Sequence, residues 1–359
     1  MYRIDIYDKD FNALTTIWQL NVTNFGYINE LNKAGSAKFT IKLRDDKATT
    51  ANLNLYNRVK ISRDGVGVFL GYIDNLRATL NTINISCMGM LGLFNKRLVS
   101  DNISATAFNT AVATILSTLN GVDDTGITIG LNAVTDTIND VQFNRSKVLS
   151  AWSKLATMAS ETEFEIDTDK HLNFQTQIGT DKSGSVKFQY DINAVNTSTI
   201  LDFDVEIDGE DIFNAVTGIR NGGSVVTKTD ATSITNFGRL ELSKNFAQTA
   251  DGTDLDKETQ NYVDSRKDEF YSPKIAVNTK KISIDSFNVG DTIKIFLNNG
   301  FINLDRNDRI IKKEVILSPN NTEEVSVSLI PTGSNILPST FQSGILGLAE
   351  RISLLESNI

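Results

Sequence analysis

A period of two dominates the first hundred residues. Tyr2-Ile4-Ile6 and Ala37-Phe39-Ile41-Leu43 alternate with polar neighbours, the pattern of antiparallel strands buried on one face. Arg58 to Ser62, Val66 to Asp74 and Thr82 to Met88 repeat it. The breaks Asp64-Gly65 and Leu80-Asn81 between them predict a small meander. The meander runs into a short apolar, helix-compatible segment, Met90-Leu91-Gly92-Leu93-Phe94, with Lys96 and Arg97 behind it.

Beyond residue 100 the period lengthens. Phe108, Ala111, Val112, Ile115, Leu116 and Leu119 form a helical stripe that Ser104 can cap and Asn120-Gly121 ends. A second helix follows Asn144, with Val148, Leu149, Trp152, Leu155, Ala156 and Ala159 on its apolar side. A hairpin comes next, pairing Glu163 to Asp167 with Leu172 to Phe174. Strand patterning returns at Ile200 to Ile207, Val216 to Arg220 and Gly238 to Leu242. It is interrupted by a helix near 253–270, and resumes at Lys274 to Asn278, Thr292 to Ile295, Asp308 to Ile316 and Val325 to Ile330. The predicted fold class is α+β, mainly β. Two antiparallel β-barrel-like domains (1–100 and 198–330) flank a small α/β domain (101–197), followed by a linker (331–344) and a C-terminal amphipathic helix (345–359). No internal repeat is visible at the residue level.

The last segment has its own period. Phe341, Ile345, Leu348, Ile352, Leu355 and Ile359 recur at alternating spacings of four and three, an a/d seam with Ile at a and Leu at d. Arg351 falls at g and Glu356 at the following e, where parallel neighbouring chains can pair them. A seam this short zips only if larger domains have already gathered the chains. A single amphipathic helix docked on its own domain has a similar stripe, and Ile at a with Leu at d formally favours two strands.

Composition removes several classes. The chain has 359 residues, 40% of them hydrophobic, with a net charge of −9. No apolar run reaches membrane-spanning length, and Met1 to Asp8 alternates as a strand, without signal-peptide anatomy. The single cysteine, Cys87, excludes an internal disulfide and cysteine-rich zinc sites; it reads as a small buried side chain. The first hundred residues are net basic and the remainder strongly acidic, so the two ends face different surroundings. The acidic excess argues against sequence-specific nucleic-acid binding, because phosphate contacts draw on Lys and Arg. It suits a surface past which DNA slides.

No catalytic constellation emerges. His171 is the only histidine and sits on the hairpin turn, so neither a His-pair metal site nor a Ser-His-Asp triad can be assembled. No phosphate loop, dinucleotide fingerprint, nucleophile elbow or zincin helix occurs. No enzyme activity, cofactor or metal is expected. The richest acidic run is Asp202-Phe203-Asp204-Val205-Glu206-Ile207-Asp208. From Asp204 it approaches a calcium loop, but Ala215 stands where a bidentate Glu is required. Read as a strand, Asp202, Asp204, Glu206 and Asp208 share one face, and Phe203, Val205 and Ile207 the other. That acidic face either lines a channel or is an ordinary solvated surface.

The order of parts in Arg58 to Val99 resembles the first barrel of phage tail baseplate hub and tail-associated (tail tip) proteins. A strand leads to a strand turning at Gly71-Tyr72-Ile73-Asp74, then to a strand ending in Cys87-Met88-Gly89, then to a short apolar helix. Ser150 to Ala156 with the following hairpin resembles that family's inter-barrel segment. Asp211-Ile212-Phe213-Asn214-Ala215-Val216 resembles the Asn-centred strand that opens its second barrel, and Val289-Gly290-Asp291-Thr292 that barrel's Gly-Asp turn. The resemblance implies a homotrimeric structural protein at the distal end of a tail tube in the virion. Two barrels from each of three subunits would alternate in a pseudo-sixfold ring, adapting a sixfold tube to a threefold tip. The implied partners are a hexameric distal tail or tube protein, the tape-measure protein, and a spike or fibre held through the C-terminal helix; the pore would pass DNA. The alternative is a trimeric host-surface glycan adhesin, which exposed aromatic loop clusters would favour.

Overall fold

The computed structural model describes residues 1–332, apart from 140, 160–161, 210–211, 221–222, 247–251, 269 and 319. The heptad seam from Phe341 to Ile359 therefore lies outside the described residues, as does Asp211.

The protein is mainly β, and thirteen strands share one sheet. Seven come from the N-terminal region: β1 (Tyr2–Tyr7), β2 (Ala13–Trp18), β3 (Val22–Glu30), β4 (Ser36–Lys42), β5 (Arg58–Arg63), β6 (Val66–Ala78) and β7 (Thr82–Gly89). Six come from the C-terminal region: β8 (Lys187–Asp191), β9 (Ile200–Asp208), β10 (Phe270–Val277), β11 (Thr292–Asn298), β12 (Asn303–Leu317) and β13 (Glu323–Pro331). The path runs β9-β10-β13-β12-β3-β4-β7-β6-β5-β1-β2, with β11 paired to both β12 and β8.

The two regions repeat one strand order. The first reads β3-β4-β7-β6-β5-β1 and the second β9-β10-β13-β12-β11-β8. Registers correspond as well. Val59 of β5 faces Gly71 of β6, and two residues later the β6·β7 ladder slips between Ile73 and Asn75. Ile293 of β11 faces Asp308 of β12, and two residues later the β12·β13 ladder slips between Ile310 and Lys312. Lys38 faces Ser86 where Lys274 faces Ser328. Bulges in the same place bend the long strands alike. The duplication is therefore one of register and bulge, carried by few identical residues.

The modules are not separate closed barrels. Lys312 to Ile316 of β12 pairs antiparallel with Glu30 to Gly26 of β3, which merges both regions into one ladder. A single apolar core follows, containing Ile4, Phe39 and Ile61 from one region and Phe188, Ile275 and Val327 from the other.

The middle region packs a second core. Helix α1 (Phe108–Val122) buries all six residues of its stripe, and α2 (Val148–Met158) buries Val148, Leu149, Trp152, Leu155 and Ala156. Helix α2 lies against the 3-10 turn Met90–Lys96, and both helices pack in one core with the hairpin Glu163–Ile166/His171–Gln175. Ser104 does not cap α1: Ala107 occupies that position without a side-chain bond. Its backbone is preset instead by a short strand pairing of Thr106-Ala107 with Thr137-Ile138.

A further unit lies between β9 and β10. Strands Ala215–Ile219, Val225–Thr229 and Glu241–Asn245 form their own sheet, with helix α3 (Ala231–Phe237) between the last two and α4 (Gly252–Arg266) against it. The strand after Asn214 thus opens this inserted sheet and does not join the large one. Asn214 is fully buried and holds the insertion together. Its Nδ2 donates to Gly238 O (2.7 Å) and Ser233 Oγ (3.2 Å), and its Oδ1 accepts from Leu240 N.

Candidate functional site

The polar face of the large sheet, the outer edge of β9 and the end of β6 beyond Tyr72 are its distinctive exposed features. On β9, Asp202, Asp204 and Glu206 are exposed, whereas Phe203 and Val205 pack on the shared core. The period-two reading thus placed these carboxylates on the solvent side; the side chain of Asp208 is outside the described set. The face is not uniformly acidic. Lys274 lies in register beside Asp204, Lys38 and Lys42 stand exposed on β4, and Lys312 pairs with Glu30 at 3.6 Å across the module joint. Carboxylates concentrate on β9 and cations on β4 and the end of β6.

The two modules are also tied by part-buried polar groups. Arg63, on the β5–β6 turn, makes a bidentate bond to Glu323 of β13 (2.7 and 3.0 Å) and a third bond to Asp285 (2.6 Å). Tyr2 Oη donates to the same Glu323 at 2.8 Å. Burial pushes the Tyr2 phenol far above its ordinary range, and the Glu323 carboxylate adds to this. Met1, Tyr2, Arg63, Ser283 and Glu323 line a polar cleft of about 470 Å³. Its lining includes no convergent nucleophile and base, and among the described residues no cluster of His, Cys, Asp and Glu could hold a metal.

Lys313 lies beneath this joint. It is buried in β12, and its Nζ donates to Ile284 O (2.8 Å), Phe287 O (2.7 Å) and Asn288 Oδ1 (3.3 Å), over the Phe287 ring. Burial lowers its pKa from 10.5 to about 8. Between those values the unfolded chain keeps a proton that the folded chain releases, so stability from this residue rises with pH across that window and is flat below it. The gain from pH 8 to pH 10 is about 2 kcal/mol. The difference between wild-type and Lys313→Met denaturation midpoints at the two pH values measures it; a difference independent of pH would refute it.

The remaining candidates resolve simply. His171 sits half-exposed at the hairpin, with Nδ1 3.3 Å from Asp167 Oδ2. Cys87 is buried, and burial pushes its thiol pKa up. Gly290 has φ +89°, and a Cβ there would lie 2.5 Å from Ile178 O. Asp291 beside it accepts from Asn288 N (2.7 Å), Thr180 N (2.9 Å) and Lys182 Nζ (2.8 Å), stapling the incoming chain to β11. No helix among the described residues is long and apolar enough to cross a membrane.

The architecture is that of phage tail proteins. Superposition on the 43 kDa tail protein of prophage MuSo2 from Shewanella oneidensis gives a TM-score of 0.69 at 13% identity, covering 92% of this chain and 98% of that one. The tail protein from Neisseria meningitidis MC58 gives 0.67 at 12% identity, covering 92% and 97%. Prophage tail protein gp18 from Listeria monocytogenes EGD-e gives 0.61 at 11%, covering 96% and 99%. No protein-family model matches the sequence, and no curated protein matches it. The likeness is one of fold, spanning nearly the whole of each chain.

Proposed function

We propose that this protein is a structural, non-enzymatic hub at the distal end of a phage-type tail. Three copies form a ring that adapts a sixfold tube to a threefold tip. The observation carrying this reading is the duplication: two modules with one strand order and matching bulges in one chain. Six similar modules then come from three chains, and each pair within a chain has already been joined edge to edge. The fold likeness to phage tail proteins supports the same reading.

In this assembly the polar sheet face lines the pore through which DNA leaves, with Asp202, Asp204, Glu206 and Asp208 as its acidic row. A hexameric distal tail or tube protein sits above, with the tape-measure protein ending inside. The helix carrying Phe341, Ile345, Leu348, Ile352, Leu355 and Ile359, with Arg351 and Glu356 flanking, bundles on the axis and holds a spike or fibre. The test is reconstruction of the purified protein and of intact particles by cryo-EM. A threefold ring with three times the 39.5 kDa chain mass, found at the end of a tail tube, is expected; a monomer, or a position on lateral fibres, would overturn the proposal. Deleting residues 343–359 is expected to weaken self-association or attachment of the next component, read by mass photometry and pull-down. An unchanged mass and unchanged assembly would remove the helix from this role.

A further inference from the structure

We infer that the unpaired end of β6, Asn75 to Ala78, forms an antiparallel ladder with the free edge of β9 in a second copy of this chain, setting Arg77 opposite Glu206. This deepens the ring proposed above and rests on it, by naming the edges that close the ring.

β12 carries β13 along one side; on the other side its first half pairs with β11 and its second half with β3. β6 is the counterpart of β12. It carries β7 along one side, and on the other its first half pairs with β5 as far as Tyr72. No strand among the described residues pairs with the second half of β6 on that side. The counterpart of β3 is β9, which ends the sheet with β10 on one side and nothing on the other. The one module joint that the chain makes internally is therefore matched by two vacant halves of the same joint at its extremities.

Matching registers turn this into residue pairs. Gly71 corresponds to Asp308, so Arg77 corresponds to Glu314 and Leu76 to Lys313. Lys38 corresponds to Lys274, so Ile28 of β3 corresponds to Glu206 and Asn29 to Ile207. Within the chain Glu314 faces Ile28 and Lys313 faces Asn29. Between copies, Arg77 then faces Glu206, Leu76 faces Ile207 and Ala78 faces Val205.

Side-chain chemistry agrees with that register, which backbone pairing alone sets. Leu76, Val205 and Phe203 all lean on the shared core, and Ile207 is 40% exposed at an edge where it has no apolar neighbour strand. Leu76 would cover it. Arg77 and Glu206 both stand exposed on the opposite, polar face, and neither has an ion-pair partner among the described residues. A one-residue slip would put Arg77 against apolar positions and Leu76 among carboxylates. Exposed edges ordinarily carry charge to prevent pairing. Here the signs differ: the carboxylates of β9 repel a second β9, while Arg77 attracts one, so β6·β9 is favoured over β9·β9.

Ring size follows. Each copy contributes the eight strands from β9 through β12 and β3 to β6. At about 4.8 Å per strand, three copies close a ring roughly 37 Å across between backbones, leaving about 27 Å once side chains are allowed for. Two copies would leave only about 14 Å. Three chains admit a nucleic-acid duplex and two do not.

The test uses the full chain, whose only cysteine is buried and inert to mild oxidation. In R77C/E206C, oxidation is expected to give disulfide-linked dimers and trimers on a non-reducing gel, whereas R77C/D204C, two residues out of register, gives at least about tenfold less. R77E is expected to raise the dissociation constant of the assembly by about tenfold or more, and E206R/R77E to restore it, since a tenfold change needs only about 1.4 kcal/mol over the ring. Both positions are exposed, so monomer folding, followed by circular dichroism, stays unchanged. A threefold particle without the R77C–E206C cross-link would overturn this pairing and leave the ring standing. A protein that is monomeric at all concentrations would overturn both.

Discussion

Arg309→Ala is expected to destabilise the protein by about 3–5 kcal/mol, the cost of leaving one member of a buried ion pair unpaired. Arg309 projects from β12 toward Glu163, the first residue of the middle-domain hairpin, and the two bond through both guanidinium nitrogens. Their side chains are 15% and 11% exposed, so solvent screens the pair little. The same guanidinium donates to Ile178 O (2.9 Å) and Gly290 O (3.1 Å), and Glu163 accepts from Ile178 N at 2.7 Å. One cation thus ties the hairpin, the chain leaving it and the Gly290 turn to the second β module. The backbone there is already committed: Gly179 and Gly290 meet so closely that a Cβ on Gly179 would lie 2.3 Å from the Gly290 carbonyl carbon. Removing Arg309 strands a carboxylate with a single N–H partner. Glu163→Ala in the same background should cost far less than it does alone, because the charge left behind is gone. Urea unfolding of the two single variants and the double variant measures this. A loss under about 1 kcal/mol for R309A would mean the pair behaves like a surface bridge and that the middle domain is held by its apolar contacts alone.

What the sequence made legible follows from the range over which each signal acts. Helix stripes are local, and the six apolar positions from Phe108 to Leu119 are the six that the helix buries. The meander Arg58 to Met88 and the hairpin at Glu163 to Phe174 are set by alternation plus short turns, and both form as expected. The acidic row on β9 was legible because period two sorts faces regardless of partners. The joint between β3 and β12 was not, because nothing in Gly26 to Glu30 marks which distant strand takes that edge. The duplication, expected from the resemblance, left no repeat visible at the residue level for a related reason. An inward position accepts any apolar residue, so Val59 stands where Ile293 does and Ile85 where Val327 does. Register and bulge persist while side chains diverge. The inserted sheet was hidden because Ala215 to Ile219 has the same alternation as the strands of the large sheet; only its pairing partners separate the two.

The two open strand ends differ in charge: the end of β6 carries Arg77, and the outer edge of β9 carries Asp202, Asp204 and Glu206. In the ring proposed above each edge must prefer the other kind, and opposite signs at Arg77 and Glu206 would supply that preference more selectively than shape alone.

Trp152→Ala is expected to cost about 3–5 kcal/mol, and Trp152→Phe only about 1–2 kcal/mol. Trp152 is fully buried on α2. Its ring lies 4.7 Å from Phe94 in the turn after β7 and 6.1 Å from Phe174 in the hairpin, and Phe174 in turn contacts Phe108 of α1 at 5.3 Å. Truncation therefore opens a cavity where four elements meet, too well braced to collapse. The phenyl ring keeps most of those contacts. It also gives up nothing polar, because the indole Nε1 has no hydrogen-bond partner among the described residues. Denaturant unfolding followed by circular dichroism separates the two variants. In a Trp18→Phe background Trp152 is the only tryptophan, so its emission reports loss of the middle-domain core directly. If W152F proves as damaging as W152A, the indole nitrogen must hold a bond that this packing does not require, and the aromatic cluster is not what joins the middle domain to the first β module.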